Sequence, residues 1–534
     1  MIPSLAAGVG DRSRLRPPRR RAGLAFALGL AASLLAPAGA TAQLSISNLL
    51  EAQSGNLPFR TPKNRTDLYE QLNLDLALTS LRFGVRFESD QNSEERRTYR
   101  AFTQRYAEWN DERLRVRIGN FYTIVGRGLV HRSFELPGVV LDKDGARSKY
   151  SPSRDLDGVL AEGRAGPFTA VLFDGKPNGG EFSPGLAVDR YRGHLSGGEL
   201  SASFLRTARA GVGFVRSTTN GLMHQELGTG FAGIDPLDAL GVRNVALPLY
   251  VEYAQIDRSF EEWVRLRTSD RVPHALYASS GLVWGRFALS AEWKDYVGFR
   301  LGTNDPPSLV REHSWTLLNR NTHLLDAGGI DPPSGESGFQ IEGSLRLPAS
   351  AALVVNFSRS DLLRFSPGRF EERFVELDLD AVAGLPIDVS TFYDQGEDSD
   401  LLITERDGFG GAATVRARDI YSATLGFERV NATREFDGPF HDVLLTGTVA
   451  RAGWGSLSLS WERSTDSAQE EPDDVAPGVQ PRHFVAGVLN AQISEHHDLT
   501  LFAGERRGGR ACTAGTCYEV LPFEGVEMRL TSRF

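Results

Sequence analysis

The sequence predicts an all-β fold: a single large antiparallel up-and-down β-barrel of the membrane-spanning kind, with about 24 strands (roughly 20 to 26) over residues 43–534. Three observations predict it. Apolar residues alternate with polar or small ones at a period of two along most of the chain, the connections alternate between short and long, and the chain ends on an amphipathic strand closed by Phe534. A period of two sends successive side chains to opposite faces of a strand. In hydrocarbon every backbone N–H and C=O must be paired inside the protein, which a closed barrel achieves and an open sheet does not.

The N-terminal segment stands apart. Arg12, Arg14, Arg16, Arg19, Arg20 and Arg21 precede an apolar run from Leu24 to Leu35 and the small residues Ala40, Thr41 and Ala42. That order predicts a secretory signal peptide over 1–42, cut before Gln43, because the run is shorter than the roughly 20 residues of a spanning helix. Its removal takes six arginines and one aspartate from 59 basic and 68 acidic residues, leaving 53 against 67, so the mature chain carries a net charge near −14. This balance argues against a nucleic-acid partner. No later run approaches 18 apolar residues, which argues against a helical membrane protein.

The strands follow in order. A first is expected near 44–53. Leu72, Leu74, Leu76 and Leu78 alternate with polar residues, and after Thr79-Ser80 the pattern restarts at Leu81, Phe83, Val85 and Phe87, as in two strands joined by a tight turn. The same device recurs at Phe339-Ile341-Gly343-Leu345-Leu347 with Ala351-Leu353-Val355-Phe357, at Val375-Leu377-Leu379-Ala381 with Ile387-Val389, at Tyr421-Ala423-Leu425-Phe427, and at Leu457-Leu459-Trp461. Alternation alone also fits a soluble antiparallel sheet, so loop lengths decide. Short turns at 284–287, 347–351, 383–387, 417–420, 451–453 and 494–498 alternate with long connections at 297–337, 360–372, 395–408, 464–482 and before the last strand. Short turns on one side and long loops on the other are the pattern of bacterial outer-membrane barrels. The stretches 122–156 and 217–246 are poorly patterned, and 122–156 and 297–337 are the loops long enough to fold inward and narrow the lumen.

The last strand, Val526-Met528-Leu530-Ser532-Phe534, resembles the C-terminal signal of outer-membrane barrels, with Ser532 where that signal carries an apolar residue. The resemblance implies a bacterial outer-membrane location, lipid around the barrel, and a barrel-assembly machinery that reads Val526, Met528, Leu530 and Phe534. A second likeness lies in Gly119-Asn120-Phe121-Tyr122 followed by Gly126-Arg127-Gly128-Leu129 and Arg132. It resembles a motif in a family of uncharacterised bacterial outer-membrane proteins, spans about the first third of the chain, and implies location rather than activity. Trp109, Trp284 and Trp454 at predicted short turns, with Trp293 and Trp461 toward the opposite strand ends, fit the aromatic girdles of such barrels.

With the apolar set facing lipid, the intervening residues line the pore. Arg82, Arg86, Arg113, Arg115 and Arg117 on the third and fifth strands, with Arg529 and Arg533 on the last, predict a basic wall. Glu376, Asp378, Asp380 and Asp388 on the sixteenth and seventeenth predict an acidic wall across from it. Opposed walls would set a transverse field that sorts solutes by charge; the alternative is local pairing in a lumen that simply needs polar lining. Cys512 and Cys517, in an exported chain, predict a small disulfide that stiffens an extracellular loop. The cluster Glu495-His496-His497-Asp498 reads as an ordinary polar turn, the acidic stretch 469–478 as solvated surface, and no HExxH, CxxC or Walker pattern occurs, so neither a metal nor a cofactor is expected. The function expected is a non-enzymatic outer-membrane channel passing small polar or charged solutes. Two alternatives stay open: an interaction or assembly scaffold with a blocked lumen, and a lumen or rim hydrolase, which needs a Ser and a His brought together.

Overall fold

The computed structural model describes residues 42–57, 64–93, 98–135, 141–143, 146–148, 155–177, 193–219, 223–256, 273–297, 311, 313–320, 335–348, 350–363, 368–399, 401–467, 481–513 and 516–534. The signal peptide expected over 1–42 lies outside them except for Ala42, and so does the acidic stretch 469–478.

Period-two segments become strands throughout. The first six are β1 (Ala42–Asn56), β2 (Asn64–Leu78), β3 (Leu81–Asn92), β4 (Tyr99–Asn110), β5 (Leu114–Phe121) and β6 (Leu156–Ala165). Next come β7 (Phe168–Pro177), β8 (His194–Phe204), β9 (Ala208–Thr219), β10 (Met223–Ile234), β11 (Leu249–Ile256) and β12 (His274–Trp284). The second half opens with β13 (Phe287–Val297), β14 (Gly335–Leu347), β15 (Ala351–Leu363), β16 (Gly368–Leu379), β17 (Ile387–Asp398) and β18 (Ile403–Ala417). It closes with β19 (Tyr421–Arg434), β20 (Gly438–Arg451), β21 (Gly455–Ser464), β22 (Arg482–Ser494), β23 (His497–Arg506) and β24 (Phe523–Arg533). They form one 25-stranded sheet whose extra member, Val245–Ala246, is a two-residue ladder beside the end of β12, so 24 strands make the wall.

Each strand is antiparallel to its neighbours, and β24 returns to β1 in a register running from Ser47↔Arg533 to Asn56↔Glu524. The seam is sealed by Phe534 and Ile46, whose backbones exchange hydrogen bonds of 2.8 and 3.0 Å. The wall has no open edge there, which is what a sheet immersed in lipid requires. Alternation along each strand separates an outer from an inner set. Ile118, Leu172, Leu200, Val212, Leu425, Leu459 and Val485 stand exposed on the outside, while Tyr69, Leu160, Val215, Phe374 and Val430 are buried inside. Trp109, Trp284 and Trp454 are exposed at the short-turn rim and Trp293 on the outer face of β13, an arrangement that matches interfacial girdles.

At one rim the connections are brief, such as 79–80, 166–167, 285–286 and 495–496; 235–248 is the long exception and holds the helix α1 (Pro236–Ala239), capped by Asp235. At the other rim lie 122–155, 298–334 and 507–522. Two expected long loops, 360–372 and 395–408, are instead mostly strand, with connections of only 364–367 and 399–402. Here β15 to β18 continue past the apolar zone as a polar ribbon held by exposed pairs such as Arg369–Asp361 (3.4 Å) and Arg373–Glu371 (2.6 Å). A strand with polar residues on both faces carries no alternation to read.

Candidate functional site

The lumen is occupied by its own loops. After β5 the chain leaves the wall at Tyr122 and runs inward as a hairpin in which Ile124–Val125 pairs with His131–Arg132 and Ser133 exchanges hydrogen bonds with Thr123. Val125, Leu129, Val130 and His131 are fully buried against inward-facing Leu160, Phe173, Leu195, Val215, Leu227 and Tyr277 of β6 to β12. Its tip turns through Gly126 (φ +61°) and Gly128 (φ +103°), a left-handed backbone that favours glycine. There the amides of Gly126 and Arg127 donate to Glu199 of β8 (2.9 Å) and Glu252 of β11 (2.7 Å). At its base Glu135 pairs with Arg86 of β3 (2.9 Å) and accepts from Tyr122 (3.2 Å), whose hydroxyl accepts from Gln104 of β4 (2.8 Å).

A second segment enters between β13 and β14 and ends in the helix α2 (Thr316–Arg320). Trp315, Leu317 and Leu318 pack on Phe374, Phe392, Val430 and Leu444 of β16, β17, β19 and β20. Its polar groups again end on wall carboxylates: His313 on Glu372 (3.0 Å), Trp315 Nε1 on Glu376 (3.0 Å), and the amides of Thr316 and Leu317 on Glu428 (3.1 and 2.8 Å). Arg311 pairs with Glu342 and Glu376, and Arg320 with Glu462. A third inward contact follows β23, where buried Arg507 meets Asp442 (2.6 Å), Glu462 (3.2 Å) and Asp466 (3.4 Å). Apart from the Arg86–Glu135 pair at the base of the first hairpin, the inward segments bring mostly donors and the wall mostly acceptors, so many of the chain's carboxylates hold its own plug.

In the inward segments two groups have shifted acidities. Burial alone pushes His131 down to about 3, so its ring is neutral; it stacks on Phe173 at 5.2 Å. Burial works against the charge of Arg507, but Asp442, Glu462 and Asp466 outweigh it and hold its pKa above the ordinary value.

The predicted lining residues are reached by both kinds of partner. Arg82 pairs with Asp75 (3.2 Å), Arg115 with Glu108 (3.0 Å) and Glu162 (3.1 Å), Arg117 with Glu108 (2.8 Å), and Arg529 with Glu51. Arg113 lies exposed in the turn before β5, and Arg533 is exposed at the end of β24. Across the lumen Glu376 serves the second inward segment, Asp378 accepts from Ser390 (2.5 Å), Asp388 pairs with Arg416, and Asp380 sits exposed in the turn after β16. Ion pairs thus hold Arg82, Arg115, Arg117 and Arg529 on one arc and Glu376 and Asp388 on the other. Sequence reasoning missed the loop-anchoring carboxylates Glu199, Glu252, Glu372, Glu428 and Glu462. A signal existed, because the inner faces of β6 to β10 carry Leu160, Phe173, Leu195, Val215 and Leu227 among their polar residues, and a barrel strand needs large apolar side chains there only if something fills the lumen.

The hairpin Gly509–Thr513/Thr516–Val520 sets Cys512 directly opposite Cys517 in register. His497 and Ser532, on neighbouring strands, lie 2.8 Å apart through Nδ1 and Oγ, but no carboxylate joins them among the described residues, nor does any group of three metal-ligating side chains occur there.

Wall and lumen together define a β-barrel of the outer-membrane type, narrowed by inward-folded loops. The profile of a protein family of unknown function, DUF6029, matches residues 37–165, a stretch containing β1 to β6 and the first inward hairpin. No curated protein matches the chain. Among solved structures it is similar to the translocation pore of the P pilus usher PapC, at 12% identity and a TM-score of 0.45 over 92% of this chain and 99% of that one. It is also similar to OccK5 (OpdH) of Pseudomonas aeruginosa, at 12% identity and 0.37 over 72% and 98%. The siderophore receptor PirA of the same organism is a third, at 10% identity and 0.42 over 92% and 80%.

Proposed function

We propose that the protein is a channel of the bacterial outer membrane that passes small polar or charged solutes through a lumen whose bore is set by the two inward segments. The observation that carries this reading is the pair of loops latched to separate arcs of the wall, β6–β12 and β16–β20. Barrels of 16 to 18 strands already enclose an aqueous channel, so 24 strands without an internal obstruction would leak indiscriminately. Between those arcs β2 to β5 keep a polar inner face of Asn73, Asp75, Arg82, Tyr106 and Arg117, the kind of lining a hydrated solute needs. In this reading Arg82, Arg86, Arg113, Arg115, Arg117, Arg529 and Arg533, with Glu376, Asp378, Asp380 and Asp388, tune which charge passes. The same proposal includes export by the signal peptide, insertion by an assembly machinery that reads Val526, Met528, Leu530 and Phe534, and a Cys512–Cys517 disulfide in the outer hairpin.

The test is single-channel recording of the refolded protein in a planar bilayer, beside a variant in which 123–134 are replaced by a short glycine-serine linker. A small steady conductance that rises several-fold in the variant is expected. A heat-modifiable barrel that carries no current in either form would refute the channel and favour a scaffold with a blocked lumen, for which the apolar packing inside the barrel is the specific support.

A further inference from the structure

We infer that Arg127, at the tip of the first inward hairpin, is an oxyanion-binding residue of the lumen that takes the carboxylate or phosphate group of a passing solute; this rests on the channel reading above. The residues 126–129 divide by task. Gly126 and Gly128 are fixed by their left-handed backbone, and a Cβ on Gly126 would stand 2.4 Å from Glu252 Oε1. Leu129 is buried in the apolar cluster. Only Arg127 of the four presents an exposed side chain.

That side chain is exposed yet held. Nη1 donates to Ser279 Oγ at 2.7 Å, the guanidinium lies 4.1 Å over the Tyr250 ring with Tyr277 at 5.8 Å, and the backbone amide is fixed on Glu252. A guanidinium stacked on one face and tethered at one nitrogen has little freedom left to lose, and its remaining N–H edge is the fork that matches an oxyanion. Among the described residues no carboxylate lies within 4.0 Å of it, whereas Arg311, Arg320 and Arg507 of the other inward segments all meet carboxylates. Of the neighbouring acids, Glu252 accepts from Tyr250 (2.7 Å) and Thr229 (3.1 Å), and Glu292 stands beyond ion-pair distance, reached by the Arg127 charge only through space. Arg209 adds a second cation one ring along, 5.4 Å over Phe231 and paired with Glu199. An arginine kept only to anchor the hairpin would reach a wall carboxylate as the others do; this one faces the lumen.

Calorimetric titration of the refolded protein in detergent with succinate, inorganic phosphate and choline chloride tests the assignment. Succinate or phosphate should bind, telling the two sources apart, and the affinity should fall about tenfold or more in R127Q, the loss of one charge-assisted contact. An unchanged affinity in R127Q, or binding of choline alone, overturns it. If R127Q fails to refold, S279A keeps the charge but removes the tether, and a several-fold loss is expected there; an S279A protein that binds succinate and phosphate as wild type does overturns the assignment in that case. Bilayer current from the same preparation separates the two ideas: current without anion binding removes the Arg127 site and leaves the channel, and binding without current does the reverse.

Discussion

Replacing Gly126 with alanine puts the latch of the first hairpin under a defined load. A Cβ at Gly126 would stand 2.4, 2.6 and 2.7 Å from Oε1, Cδ and Oε2 of Glu252. Glu252 cannot swing aside freely, because it already accepts from the Arg127 amide, the Tyr250 hydroxyl and the Thr229 hydroxyl. The left-handed backbone costs an alanine about 1–2 kcal/mol, and weakening the two amide-to-carboxylate bonds costs about 1.5–3 kcal/mol each, about 4–8 kcal/mol in all. Opposing this, burial of Val125, Leu129 and Val130 stabilises the docked hairpin by about 1.5–3 kcal/mol per side chain, a sum of the same size. The variant is therefore expected to sit near balance, with the hairpin exchanging between docked and released rather than permanently out. Trypsin cleavage after Arg127 and Arg132 in the intact barrel, together with open-channel noise, reads that exchange. A Gly126→Ala protein as protected and as quiet as wild type would refute the latch.

Other consequences are equally open to measurement. His131, neutral in the folded hairpin with a pKa near 3 against 6.5 when released, takes up a proton only on leaving; docking is at full strength above about pH 6.5 and weakens as pH falls toward 3, by about 2 kcal/mol at pH 5. Protease sensitivity of the hairpin should rise accordingly between pH 7 and 5, and the rise should vanish in His131→Phe. Arg507→Ala leaves Asp442, Glu462 and Asp466 facing one another without their shared cation, and a loss of about 3–5 kcal/mol should lower the heat-modifiability midpoint. Removing Arg113, Arg115 and Arg117 together frees Glu108 and Glu162, so the reversal potential in a salt gradient should move toward cation preference; no shift would mean that this arc does not line the conducting path. The hairpin 509–520 should carry a Cys512–Cys517 disulfide, which intact-mass measurement before and after reduction would detect.

The wall was legible because lipid imposes a strict rule on its outer face: wherever Leu72, Leu74 and Leu76 or Leu457 and Leu459 alternate, a strand follows. Beyond the apolar zone that rule lapses, which is why 360–372 and 395–408 read as loops although Asp361, Arg369 and Glu397 sit on strand ribbons. The lumen obeys no such periodicity. Arg117 and Glu108 are direct cross-strand partners across the 111–113 turn, so their pairing could have been read from the hairpin register. The bond from Gly126 to Glu199 joins residues 73 apart and that from Arg127 to Glu252 residues 125 apart, contacts that exist only once β8 and β11 have joined the sheet.

Those same separations fix an order of events. The first hairpin is made early in the chain, but its acceptors belong to β8 and β11, and the second inward segment waits for Glu428 and Glu462 on β19 and β21. Neither plug has a seat until the strands that follow it are in the sheet. Each of those acceptors precedes β24 in the chain, and only the pairing of β24 with β1 closes the wall, so both inward segments have their seats before the barrel is sealed and the widest aperture need never stand open.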